Sequence, residues 1–250
     1  MAQRNYQWMI LISIIAALAG GFTGYYYQHQ PAPEKLALSL GIADIGSANT
    51  DFIGQFPMSQ HHMNRRTLFD QLKPSTGQTI FLGDEIIEEA EWRDLLGQSD
   101  ILNRGIDLDT VAGVKDRLPQ LLDQQPQQII LSIGRQDILQ NSDYFQRDFE
   151  EILALIKEDS PQTKLIVMDL IPLSQSYANS DKLNPVIEQF NKQLSDLQKE
   201  YAFELVAIGA ELTDSEGFLA EEYSADGWQL NGQAYQKIVQ ALKPLLKGGE

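Results

Sequence analysis

From residue 79 onward, five short runs are rich in Ile, Val and Leu: Thr79–Gly83, Ile101–Asn103, Gln128–Ile133, Lys164–Leu170 and Glu204–Ile208. Short, near-continuous apolar runs are the mark of strands covered on both faces. Between them, the stretches near 86–97, 111–124, 144–158, 185–201 and 232–246 have helical character. In one of these, Phe149, Ile152, Leu153 and Ile156 recur at the spacing of a single helix face. Asn184-Pro185 offers an N-cap followed by proline at the first helical position. Strand–helix alternation of this kind predicts a parallel sheet sandwiched between helices. Sites in such sheets form at the carboxyl ends of the strands, so the turns at 83–86, 104–109 and 134–138 are where chemistry is expected.

At 250 residues the chain has room for one ordinary domain and a short appendage. It contains no cysteine, which excludes disulfides, thiolate metal sites and cysteine nucleophiles. Its 35 acidic residues outnumber 19 basic ones, for a net charge of -16. Such a surface repels polyanions, and Arg65-Arg66 and Arg93 stand apart in the sequence, so nucleic acid is not expected as a partner.

The run from Trp8 to Gly24 is 17 residues long, carries no charge and is followed by Tyr25-Tyr26-Tyr27. That length is at the short end of a membrane span, and the tyrosines suit an interfacial belt. Arg4 precedes the run and no Lys or Arg follows until Lys35. The positive-inside rule then leaves the N-terminus in the cytoplasm and the acidic domain outside. The alternative is a signal peptide, since Ala17-Leu18-Ala19 has the form of a cleavage site. Both readings export the domain, to periplasm or cell surface in the first case and as a secreted protein in the second. The expected organisation is an anchor over 1–27, a tether and irregular lead-in over 28–63, and the folded domain over 64–250. A short helix is expected around Arg66–Leu72, and His61-His62 are read as a solvated loop.

The phrase Phe81-Leu-Gly-Asp84 is followed by Glu91-Trp92, then Asn103-Arg-Gly-Ile106, Asp109-Thr110 and Asp226-Gly-Trp-Gln-Leu-Asn231. Taken together, these phrases resemble the block motifs of the SGNH (GDSL) hydrolases, a family of esterases and lipases. The likeness covers about residues 64–246 and is nearest to carbohydrate-esterase and acetylhydrolase-like members. It implies a three-layer α/β/α sandwich with a central parallel five-stranded sheet of flavodoxin-like type, preceded here by the N-terminal transmembrane helix.

What the resemblance implies for the site is a catalytic frame with altered side chains. Where the family places its serine nucleophile, this chain has Glu85. Leu108, preceded by Asp107, stands where a glycine amide serves the oxyanion hole. A leucine cannot cheaply adopt the positive-φ conformations open to glycine, and would crowd the site. Gln136 replaces the asparagine that completes the hole, and Gln229 replaces the histidine base, while its partner Asp226 remains. Losing a serine nucleophile or its histidine typically costs about 10⁶ in turnover. Each missing oxyanion donor costs roughly 10²–10³ more. An esterase-inactive domain that binds or scaffolds in the cell envelope, with a glycan or protein as partner, is the expectation. The alternative is a hydrolase repurposed around Glu85 and Asp226. A cation held by Asp84, Glu85, Asp107 and Asp226 is a weaker reading, and neither a metal nor a cofactor is expected. Asp84, Glu85, Asp107, Gln136 and Trp228 are the expected cleft residues, with Trp228 a candidate sugar platform and Trp92 a candidate core residue.

Overall fold

The computed structural model describes residues 59–73 and 75–246. The expected anchor and nearly all of the tether lie outside the described residues. Among the described residues, no helix is long and apolar enough to cross a membrane.

Five parallel strands form one sheet in the order β2-β1-β3-β4-β5. They are β1 Thr79–Gly83, β2 Ile101–Gly105, β3 Gln128–Ser132, β4 Lys164–Met168 and β5 Glu204–Val206. All five expected strands are present, with ends shifted by one or two residues. The sheet is covered on both faces. On one face α4 (Val111–Leu122), α6 (Phe145–Asp159) and α7 (Ser180–Tyr201) pack on Ile80, Leu82, Ile129, Leu131 and Val167. On the other, α2 (Glu85–Glu88), α3 (Trp92–Leu96), α8 (Ile208–Leu212) and α9 (Gly232–Leu242) pack on Phe81, Ile130, Ile166 and Met168. Alternate side chains of each strand feed opposite cores, which is why the strands read as continuous apolar runs.

Several boundaries depart from the sequence expectation for identifiable reasons. The single helix expected over 86–97 is broken into α2 and α3. The Asn103 side-chain amide donates to the carbonyls of Ile87, Glu88 and Ala90 at 2.8, 3.1 and 3.1 Å, satisfying acceptors that a continuous helix would have bonded internally. Helix α7 begins at Ser180, so Pro185 lies inside it rather than at its first position. Asn184 is no cap: its side chain reaches across to the Leu173 amide and carbonyl at 2.8 and 2.9 Å. Helix α5 (Arg135–Leu139) and α8 were not anticipated, each being a single short turn-and-a-half.

The His61-His62 segment is a helix, not a solvated loop. Helix α1 spans Gln60–Gln71, starting at a Ser59 cap whose hydroxyl accepts from the His62 amide at 3.1 Å. It contributes one buried side chain, His62, whose Nε2 lies 2.9 Å from Asp109 Oδ1. The rest of its attachment is polar: His61 and Arg65 both contact Glu88, at 2.9 and 3.0 Å, and Arg66 pairs with Asp116.

Asp109 is the hub of that attachment. Its second oxygen takes Arg117 Nε and Nη2 at 3.1 and 2.9 Å, and Arg117 Nη2 also donates to the Gly83 carbonyl at 3.1 Å. Burial alone would raise the Asp109 carboxyl, but Arg117 and His62 hold it below the ordinary range. Removing one charge from such a pair strands the other. Asp109→Asn is therefore expected to destabilise the domain by about 3–5 kcal/mol, read as a lower urea midpoint at unchanged slope.

Candidate functional site

The sheet order reverses direction between β1 and β3, the place where open α/β sheets form their crevices. Four turns converge there. The first is the β1–α2 turn. A Cβ on Gly83 would lie 1.9 Å from the Ser132 carbonyl oxygen, so only glycine allows β1 and β3 to end side by side. Asp84 then caps α2, its Oδ1 accepting from the Ile86 amide at 3.2 Å. Glu85 is the first residue of α2 and has no exposed surface.

The β3–α5 turn brings in a residue that the sequence reading passed over. Arg135 opens α5 and is only 2% exposed. Its Nη1 lies 3.9 Å from Glu85 Oε1, and its Nη2 donates to the Trp228 carbonyl at 3.0 Å. The guanidinium carbon sits 3.8 Å from the centre of the Trp228 ring, within cation–π range. Trp228 also stacks with Tyr177, ring centres 5.7 Å apart. The indole is thus a lid over Arg135 rather than a free platform. Trp92, by contrast, is core: it stacks on Phe81 at 4.3 Å and donates to the Ile87 carbonyl at 2.8 Å.

Burial dominates the electrostatics. It raises the Asp84 carboxyl well above its usual range, with the Glu85 charge adding to it and Arg135 opposing. Burial also raises Glu85, and Arg135 and the backbone amides of Glu85 and Leu108 offset this. Neither amide closes a hydrogen bond to the carboxylate, and among the described residues both Glu85 oxygens are without a hydrogen-bond partner, as are Asp84 Oδ2, Gln136 Oε1 and Arg135 Nε and Nη1.

The remaining two turns are more open. Leu108 sits at φ 61, the left-handed backbone expected of a glycine there, and its side chain is 47% exposed. It keeps the turn's shape and remains open to solvent. Asp107 donates its amide to Glu88. Asp226 is exposed, and its Oδ1 accepts from Ser224 Oγ and the amides of Trp228 and Gln229 at 3.1, 2.9 and 2.8 Å. Those bonds hold the Asp226 carboxyl low. Gln229 turns to Glu89, donating to Oε1 at 2.9 Å. Asp226 and Glu85 are therefore engaged separately, one by its own loop and the other by Arg135. Among the described residues no three metal-binding side chains converge.

The model of the GDSL-like lipase/acylhydrolase family matches residues 81–237. The chain belongs to this family. It is 29% identical over 200 residues to the human platelet-activating factor acetylhydrolase IB subunit alpha2, covering 76% of this chain and 82% of that one. The chicken counterpart is 28% identical over the same length and coverage. Among solved structures, a GDSL-like lipase from Bacteroides thetaiotaomicron superposes with a TM-score of 0.64 at 17% identity, over 74% of this chain and 96% of that one. An acetylxylan esterase from Geobacillus stearothermophilus gives 0.55 at 17% identity, over 69% and 95%.

Within this GDSL-family frame, the structure brings together Asp84, Glu85, Arg135, Gln136 and Trp228, while Asp107 and Leu108 form the neighbouring turn. Arg135 and Glu89 were the residues missed. The signal for Arg135 was slight: it is the unspecified position of Gly134-Arg-Gln-Asp137, three residues beyond the carboxyl end of β3.

Two outcomes follow from this geometry. Left-handed backbone costs a leucine about 1–2 kcal/mol, partly offset by the extra freedom glycine has when unfolded. Leu108→Gly should stabilise the fold by about 0.5–1 kcal/mol, seen as a higher melting temperature. Asp137 is buried and raised to about 7, its Oδ2 accepting from the Val111 amide at 2.9 Å. Its folded carboxyl binds the proton more tightly than the unfolded one, so its contribution is present below pH 4 and lost as pH rises through about 7. Asp137→Asn keeps an acceptor for Val111. It should flatten the melting profile between pH 4 and 7 and raise stability at pH 8 by on the order of 2–3 kcal/mol.

Proposed function

We propose that this GDSL-family protein is a membrane-tethered, extracytoplasmic domain that does not hydrolyse esters and acts as a binding or scaffolding module in the cell envelope. The observation that carries the reading is the Glu85–Arg135 pair. At the position of the family's nucleophile stands a fully buried carboxylate, and its neighbour is a guanidinium under an indole lid. A hydroxyl nucleophile needs an adjacent base. Here the base position is a glutamine bound to Glu89, which cannot accept a proton. A carboxylate in the hole also opposes the negative charge that an acyl transition state develops. The uncharged run from Trp8 to Gly24 and the absence of Lys or Arg between it and Lys35 support tethering with the domain outside. Similarity to a platelet-activating factor acetylhydrolase subunit and to an acetylxylan esterase makes acetyl esters and acetylated xylan the substrates to try first.

The test is hydrolysis of p-nitrophenyl acetate and acetylated xylan by the full chain in non-ionic detergent. The parent is expected to be silent. A variant carrying Glu85→Ser, Leu108→Gly, Gln136→Asn and Gln229→His is expected to stay silent as well, because Arg135 still fills the crevice. Adding Arg135→Ala to those four changes is expected to produce turnover. Hydrolysis by the parent that Glu85→Gln abolishes would overturn the reading in favour of carboxylate chemistry at Glu85 and Asp226.

A further inference from the structure

Strand β2 is an edge of the sheet, with β1 on one side. Its alternate carbonyls at 101, 103 and 105 take an arginine each. Arg93 Nε donates to Ile101 at 2.6 Å, Arg104 Nη1 to Asn103 at 3.0 Å and Arg65 Nη2 to Gly105 at 3.2 Å. Side chains that occupy an edge in this way keep it from pairing with another strand. Edge protection, however, uses one N–H of each guanidinium and accounts for none of the charge.

The charges are unequally matched. Arg65 is paired with Glu88 at 3.0 Å. Neither Arg93 nor Arg104 has a carboxylate within ion-pair distance among the described residues. Arg104 is only 7% exposed, so its charge is largely removed from water without a counter-charge. Burial lowers its guanidinium to about 10, and Arg117, Arg65 and Arg93 push in the same direction, so it remains cationic at neutral pH among like charges. Among the described residues no carboxylate pairs with it; its guanidinium carbon lies instead 4.9 Å from the centre of the Phe69 ring, which Arg65 shares at 4.8 Å.

Arg93 and Arg104 both line one cleft of about 450 Å³, together with Lys73 and Leu72. Glu91 and Asp94 also line it; both are exposed to solvent, and neither reaches the arginines. We propose that this cleft along the β2 edge binds a phosphate group, with Arg104 and Arg93 as its principal donors and Lys73 as a third cation. Arginine's planar fork matches phosphate oxygens two at a time, and the N–H groups not spent on the strand carbonyls remain for that purpose. Acidic residues elsewhere on the surface do not forbid it, because charges more than about 10 Å away are largely screened at 0.1 M salt. The inference is independent of whether the family crevice turns over esters, since the two sites share no residue.

The experiment is calorimetric titration of the full chain in non-ionic detergent with inorganic phosphate, ionic strength being fixed with chloride, alongside melting curves. Saturable binding that raises the melting temperature is expected. Arg104→Gln and Arg93→Gln are each expected to weaken it by about tenfold or more. Arg93 is exposed, so that variant tests the site even if Arg104→Gln fails to fold. A second titration uses glycerol 3-phosphate esterified with two hexanoyl chains. Equal binding of both probes identifies a free phosphate group as sufficient, and binding of the acylated probe alone identifies a lipid headgroup. Absence of saturable binding by both probes, or full affinity in Arg93→Gln, would overturn the proposal.

Discussion

Asp109 and Arg117 are both more than nine-tenths buried, and a pair so placed persists only when nearly every donor and acceptor is used. Asp109 meets this by accepting from Arg117, from the Thr110 amide at 2.9 Å and from His62. Arg117 meets it in part, Nε and Nη2 reaching Asp109 and the carbonyl of Gly83, the last residue of β1, while Nη1 closes no hydrogen bond among the described residues. The pair thereby ties together the turn bearing Leu108, the start of α4, the end of β1 and helix α1. Gly113 belongs to the same arrangement, since a Cβ there would lie 2.0 Å from Asp109 Oδ1. The crevice keeps its outline because this support lies behind it and shares none of the altered positions.

A second consequence follows for those altered positions. A glutamate fully enclosed where a serine would stand is costly unless a cation accompanies it. Arg135 supplies that cation from the neighbouring block, and Trp228 from the fourth turn covers it. Glu85, Arg135 and Trp228 therefore form one unit made from three turns. Treating the blocks as independent substitutions misses this coupling: restoring a serine at 85 would leave Arg135 buried with its nearest carboxylate removed. Among the described residues neither Glu85 oxygen closes a hydrogen bond, nor do Arg135 Nε and Nη1, so the unit is held by charge, by stacking and by the one bond from Arg135 Nη2 to the Trp228 carbonyl.

The strands were legible in the sequence because burial on both faces writes a nearly unbroken apolar run. The helices of the outer layers were legible where one face is apolar, as in α6. What failed to show was structure set by contacts distant in sequence. Asn103 ends α2 from 13 or more residues away. Helix α1 has hardly any apolar face, because its attachment is through His62, His61, Arg65 and Arg66, so hydrophobic periodicity had little to detect. Pro185 misled because a proline in the early turns of a helix need not be its first residue. At the site, the four altered side chains were read from the blocks, whereas Arg135 was hidden by standing at a position the family pattern leaves open.

The same limit applies to charge. Arg65, Arg93, Arg104 and Arg117 are dispersed over more than fifty residues of an acidic chain, and no window of sequence containing them reads as basic. The fold brings Arg65, Arg93 and Arg104 together on the outward carbonyls of β2, with Arg117 near enough to Arg104 to oppose its charge. Net charge governs what approaches the molecule from a distance, but within a screening length the local arrangement decides. An acidic protein can therefore gather cations in one cleft, even one whose lining includes Glu91 and Asp94, where those acids do not pair with them. Glu88 and Asp109 are held by Arg65 and by Arg117, which leaves Arg104 over the Phe69 ring with no carboxylate partner among the described residues.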